Sequence, residues 1–384
     1  MARVEPQFKQ LTHSYGFDDV AIVPGDVTLN PDQTNIFFQL SSLTFTIPIV
    51  AAAMDAVVDP AFAVHFSRMG GMAVLNLEGV QSRYQNTEEV VRGIVQAPVS
   101  DVTGVLQKVY SEPIKESLVG ERVRHIKEGG GICAVSMTPS NTKRLSAVAA
   151  EAGADVVVVQ ATVTTARIIS KSYNCLVFSE LRHSLPLNIP IVVGNCVTYR
   201  TALELMRNGI DAVMVGVGPG AACTTREVLG VGVPQVTATI ECTAAREVYF
   251  KETGRYVALI TDGGIRNGGD LCKAMACGAD AVMLGSTLAR TQEAPGQGYH
   301  WGMANPHPAL PRGTRIKVGT TGSLEQVLFG PTVVTDGTQN LVGALKTAMG
   351  MCGAFTIRDM QKVDMVIAPS IKTEGKAYQL SGAR

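Results

Sequence analysis

The chain has 384 residues, and 33 Lys+Arg balance 33 Asp+Glu to a formal net charge of zero. Such a length suits one barrel-sized domain or two ordinary ones with a substantial core, and the balanced charge gives no field that would draw in nucleic acid or an anionic membrane. No apolar run reaches the ~18 residues of a membrane span, and the opening MARVEPQFKQ has no hydrophobic signal core, so a cytoplasmic chain without a membrane partner is expected.

Residues 1–45 read as an irregular leader containing Phe17-Asp18-Asp19-Val20 and an Ile22-Val23-Pro24-Gly25 turn. Short apolar runs then alternate with helical patterns. Ile47–Ala53, Gly71–Leu75, Ile132–Met137, Ala154–Val159, Ile189–Val193, Ala212–Val215, Tyr256–Ile260 and Ala279–Leu284 make eight candidate strands. Residues 77–130 read as ordinary helices broken at Pro98, one with an amphipathic Val119–Ile126 stretch. Thr138-Pro139 signals a helix start, with Leu145, Val148 and Ala152 on one face and Gly153 as a stop. Thr198 is expected to cap a helix that buries Ala202, Leu205 and Met206 and ends at Asn208-Gly209.

Strand and helix alternating eight times, with strands apolar throughout, predict a parallel (β/α)8 TIM barrel forming a single catalytic domain over 1–384. A doubly wound open sheet is the alternative. After the eighth strand, residues 287–336 lack clear periodicity and read as a lid or binding loop, or else as a disordered segment. A helix with Leu341, Val342, Leu345 and Met349 on one stripe follows, with Gly350 and Gly353 after it; residues 354–384 read as a tail on the surface or on a neighbouring subunit.

In such a barrel the chemistry lies at the C-terminal ends of the strands. Met54-Asp55 follows the first, Asn76 the second, Gln160–Thr162 the fourth, and Gly194-Asn195 the fifth. Asp262-Gly263-Gly264-Ile265-Arg266 follows the seventh and Gly285-Ser286 the eighth. Two glycine turns on neighbouring strands, each opening a helix, make a phosphate cradle from backbone N–H groups. Asp262 is alternatively a helix N-cap.

The sixth strand breaks into Gly216, Gly218, Pro219 and Gly220 before Cys223, Thr224 and Thr225. Eight cysteines are spread singly without Cys-x-x-Cys pairs, which argues against a zinc site or a disulfide framework and leaves most as core thiols. Glycines allow close backbone approach to a ligand, so a thiol behind this loop is held where a bound molecule could meet it. A small buried hydrophobe is the competing reading of Cys223.

Gly216–Arg226 together with Gly232–Gln235 resembles the cysteine-loop signature of the IMP dehydrogenase/GMP reductase family, and Phe17–Val20, Asp262–Arg266 and Met283–Ser286 resemble further motifs of it. The resemblance implies a nucleophilic Cys223 that attacks purine C2 of a nucleoside monophosphate, with Thr225 positioning the water or leaving group. It implies a substrate pocket of Met54, Gly220, Ala221, Asp262 on the ribose, Gly264, and Gly285 and Ser286 on the phosphate, and makes 287–336 an active-site flap that adds His300, Gly302 and Met303. NAD would meet Gln160, Ala161, Thr162, Asn195, Gly216 and Gly218. Potassium would lie on carbonyls of Gly218, Gly220 and Cys223, in a homotetramer or octamer. The gap between the second and third strands is too short for inserted regulatory modules. The chain departs from the family at Ala221, where a phosphate-binding serine is usual, at Gln160 in place of an acidic residue, and at Met214 in place of an arginine.

Two activities share this cysteine. A dehydrogenase oxidises IMP to XMP through a covalent thioimidate; its flap would supply Arg312, which is alternatively a solvated lid arginine, and no tyrosine stands between Trp301 and Val327. A reductase converts GMP to IMP with NADPH and uses a flap glutamate; here Thr321 stands at that place, with Glu325 nearby. A barrel that binds nucleotide without turnover is the third reading.

Overall fold

The computed structural model describes residues 11–169, 175–302 and 315–369. Eight parallel strands close into a barrel in chain order: β1 Ile49–Ala51, β2 Met72–Asn76, β3 Ala134–Met137, β4 Val156–Gln160, β5 Ile191–Cys196, β6 Ala212–Val215, β7 Ala258–Asp262 and β8 Ala281–Leu284. Closure is the pairing of β8 with β1, Val282 to Ile49 through Leu284 to Ala51. All eight expected runs are barrel strands, and the open-sheet alternative is excluded.

The strands are apolar throughout because both faces are buried. On β4, Val156 and Val158 point into the barrel interior, whereas Val157 and Val159 face the surrounding helices. The interior is filled by such residues as Val50, Met72, Val192, Met214, Ile260 and Met283. Phe38, Leu40 and Phe45 complete that cluster from a hairpin of two short strands, Phe38–Leu40 and Leu43–Phe45, just before β1. The Phe38 and Phe45 rings stack with centroids 5.6 Å apart and plug the end of the barrel remote from the strand C-termini.

Two segments read as irregular pair with each other. Within the leader read as irregular, Val20–Ile22 pairs antiparallel with Met365–Ile367 from the segment read as a tail. Both strands are three residues long, too short to show a period. Between β2 and β3 lie the helices Thr87–Gln96, Val102–Ser111 and Glu116–Glu128, with Pro98 in the break between the first two. The helix expected at Thr138-Pro139 begins instead at Thr142 after Asn141, because residues 138–141 form a turn first, closed by Asn141 N donating to Thr138 O at 3.1 Å. Thr198 caps Tyr199–Arg207 by accepting from Thr201 N. Gly350 lies inside the helix Leu341–Met351 and not beyond it; a Cβ there would press on the Leu29 carbonyl.

Within 287–336, Tyr299–Trp301 pairs with Arg315–Lys317 as an antiparallel hairpin. Trp301 is fully buried; its Nε1 donates to Tyr110 Oη (2.7 Å), which donates in turn to Asp55 Oδ2 (2.6 Å) just after β1. Among the described residues no helix is long and apolar enough to cross a membrane.

Candidate active site

The C-terminal ends of the barrel strands surround one cavity of about 1130 Å3. Met54, Gln160, Ala161, Thr162, Asn195, Gly216, Gly218, Gly220, Ala221, Cys223, Thr225, Asp262, Gly264, Gly285, Ser286, His300 and Gly302 all line it. Met303 and Arg312 lie outside the described residues.

Two loops share the cavity floor. Gly216 has φ +151°, and a Cβ there would collide with the Asp262 carbonyl. Gly263 and Gly264 have φ of +89° and +80°, and a Cβ on Gly263 would meet Pro219 at 3.1 Å and Gly220 N at 3.2 Å. Only residues without side chains let the cysteine loop and the Asp262 loop interlock at this distance. Gln235, buried, ties the same two strand ends together, its Nε2 donating to Val215 O (2.7 Å) and Asp262 O (3.1 Å).

Cys223 is half-buried in the wall and its thiol donates to Thr225 Oγ1 at 3.1 Å. Its N–H closes a turn onto Gly220 O at 3.0 Å. Cys223 is the cysteine among the described residues that lines the cavity. Burial pushes the thiols of Cys133, Cys272 and Cys277 up to about 12; these are core residues, unlike Cys223 in position and surroundings.

Across the cavity, Asp262 Oδ2 accepts from Asn195 Nδ2 (2.7 Å) and Gln160 Nε2 (3.3 Å). Desolvation pushes its pKa up to about 6, opposed by the Asn195 hydrogen bond. No described donor reaches Oδ1, which leaves an acceptor for a ligand hydroxyl. The following helix, Gly268–Ala276, is capped by Asn267, so Asp262 is not its N-cap.

At β8, Gly285 lies against Met54, whose Sδ would sit 2.9 Å from a Cβ on Gly285. Ser286 Oγ is 2.9 Å from His300 Nε2 on the flap hairpin. Burial, and then the Arg290 charge, bring the His300 pKa down to about 4, so the ring is neutral at physiological pH. Carbonyl ligation of potassium would use Gly220 O beside the hydrogen bond it already accepts, since a carbonyl has two lone pairs. Among the described residues no three His, Cys, Asp or Glu gather as a metal site.

The sequence reading did not single out Glu78, Asn141 or Arg290 as cavity residues. Glu78 accepts from Thr138 Oγ1 (2.7 Å) and Asn141 Nδ2 (2.7 Å), which fixes the rim of β2 and β3. Arg290 stands four residues past Ser286, one helical turn, a spacing too ordinary in sequence to mark it. Arg315, Thr321 and Glu325 do not line the cavity; Arg315 Nη1 donates to the carbonyls of Ile94 (2.6 Å) and Val95 (2.8 Å) instead.

Residues 14–305 match the model of the IMP dehydrogenase/GMP reductase domain. The chain is 39% identical over 363 residues to an uncharacterized oxidoreductase of Mycolicibacterium smegmatis, covering 92% of this chain and 96% of the relative. It is 30% identical over 398 residues to the inosine-5'-monophosphate dehydrogenase of Cryptosporidium parvum, covering 92% of each. Among solved structures, an IMP dehydrogenase/GMP reductase-like protein from Corynebacterium glutamicum superposes with a TM-score of 0.87 at 33% identity, covering 95% of this chain and 97% of that one.

Proposed function

Since the chain belongs to the IMP dehydrogenase/GMP reductase family, in its short form without inserted regulatory modules, we propose that it is an IMP dehydrogenase that makes XMP with NAD. The observation that carries this reading is the meeting of Cys223, its Thr225 partner, Asp262 and the Gly285-Ser286 turn on one cavity. The cavity is larger than one nucleoside monophosphate needs and continues past Asn195 to Gln160, Ala161 and Thr162, which supports room for a second ligand.

In this reading Asp262 Oδ1 accepts ribose hydroxyls, while Ser286 and the Gly264 and Gly285 backbone hold phosphate. That places the purine over Cys223. The thiolate forms a bond to C2, and the resulting tetrahedral carbon must lose hydride to become a thioimidate. Gln160, Ala161, Thr162 and Asn195 would hold NAD, which would supply the acceptor for that hydride. Water then adds to C2, the C–S bond breaks, and XMP leaves with the thiol restored. Thr225 Oγ1, which accepts the thiol hydrogen bond at 3.1 Å, would relay that proton toward N3 of the purine as the C–S bond forms. Arg312 is assigned to the hydrolytic step on the resemblance alone, as are potassium on the Gly218, Gly220 and Cys223 carbonyls and a cytoplasmic homotetramer.

The reductase reading needs a carboxylate from the flap. The described carboxylates on the cavity are Asp18, Asp19, Glu78 and Asp262, none of them from 287–336. Purified protein given IMP and NAD should form NADH. Oxidation of NADPH with GMP would instead make it the reductase, and neither reaction would make it a binder.

A further inference from the structure

Among the described residues four arginines line the cavity, and three are already engaged. Arg266 pairs with Asp18 (2.5 Å) and Asp270 (2.8 Å), Arg226 Nη2 donates to Val233 O (2.6 Å), and Arg83 Nε donates to Glu78 O (2.9 Å). Arg290 is different. Its Nε is buried, no described group accepts from it, and no described carboxylate pairs with it. The nearby exposed Asp336 is held below the usual carboxylate range chiefly by Thr338, whose Oγ1 donates to it at 2.6 Å, and to a lesser degree by the Arg290 charge, with no ion pair formed between them.

A buried guanidinium N–H that no described group accepts from carries an unmet desolvation cost. Arg290 sits one turn beyond Ser286, beside the neutral His300, whose Nδ1 is likewise buried without a partner. The opposite loop presents Ala221, which has no donor side chain. This end of the cavity therefore brings together Ser286, a neutral imidazole and a guanidinium with an unsatisfied buried N–H.

We propose that Arg290 is a substrate-binding residue that takes the dianionic phosphate of the nucleoside monophosphate, so that this protein selects nucleotide over nucleoside by charge. The inference rests on the nucleotide-site reading above, but not on the direction of the redox reaction. A guanidinium donates to two phosphate oxygens at once, and its hydrogen bonds to a charged acceptor are roughly twice as strong as neutral ones. A hydroxyl at 221 could add one neutral donor only.

The test is binding without turnover: IMP, GMP and inosine titrated by calorimetry, without dinucleotide, into wild type, Arg290→Lys and Arg290→Met. Arg290→Met should bind both monophosphates ~10- to 100-fold more weakly and inosine as wild type does. Arg290→Lys should recover part of the loss, which a merely structural role would not produce. Equal affinity of wild type and Arg290→Met for the monophosphates, or an equal loss for inosine, would overturn the proposal. So would a wild type that binds monophosphates no better than inosine. If IMP and NAD give no NADH while these affinities follow the expected pattern, the dehydrogenase reading fails and the role of Arg290 stands. A Met variant that does not fold leaves the Lys variant, with a smaller loss confined to the monophosphates, to decide the matter.

Discussion

Asn195 Nδ2 lies 2.7 Å from Asp262 Oδ2, and this bond holds a desolvated carboxylate in place at the floor of the cavity. The two residues come from β5 and β7, so the barrel itself sets their distance.

The Asp262 pKa, pushed up to about 6, fixes the sign of a pH effect. An unfolded aspartate ionises near 4, so between about pH 4 and pH 6 the unfolded chain releases its proton first and stability falls as pH rises. Asp262→Asn removes that cost: its Tm should exceed wild type at pH 7, with the gain gone below about pH 4. The same variant should raise the KM for IMP ~10- to 100-fold, because Oδ1 no longer accepts as an anion. A lower Tm at pH 7 would show that the carboxylate is a structural support and not a binding group.

Thr225→Val keeps the volume near Cys223 and removes the hydroxyl 3.1 Å from its sulfur. Turnover should fall ~100- to 10,000-fold with the KM for IMP little changed, the range for loss of a proton-transfer group. An unchanged kcat measured by NADH formation would take Thr225 out of the mechanism.

Tyr110 Oη joins Trp301 on the flap hairpin to Asp55 beside β1. Tyr110→Phe leaves a buried indole N–H without this acceptor, at a cost of about 1–3 kcal/mol. Trp301 is the one tryptophan in the sequence, so its fluorescence reports this junction directly. Acrylamide should quench the variant more than wild type, and its urea midpoint should fall. Identical quenching would mean that packing alone seats the hairpin.

Potassium on the carbonyls of the cysteine loop predicts a higher rate in potassium than in a bulky organic cation at matched ionic strength. Equal rates would remove the ion from the account.

The barrel was readable because its signal is redundant. Strands such as Val156–Gln160 must be apolar on both faces, and eight such runs punctuated by helices leave few architectures. The strand-end residues Met54, Gln160, Asn195, Asp262 and Ser286 line one cavity because a parallel barrel brings its C-terminal ends together. Three-residue pairings such as Val20–Ile22 with Met365–Ile367 were not readable, since they join distant segments and carry no period. Arg290 escaped for another reason: a lone arginine after a short helix is ordinary in sequence, and only its buried Nε without an acceptor distinguishes it.

The central claim is that Cys223 forms a bond to the purine. Wild-type protein mixed with IMP and NAD and quenched within the first turnovers should carry one added nucleotide, located by peptide mass spectrometry on Cys223. Arg312→Ala should accumulate it with a burst of NADH close to one per site, and Cys223→Ala should show neither adduct nor NADH while still binding IMP. NADH formed at the wild-type rate by Cys223→Ala, or an adduct on another residue, would contradict the account.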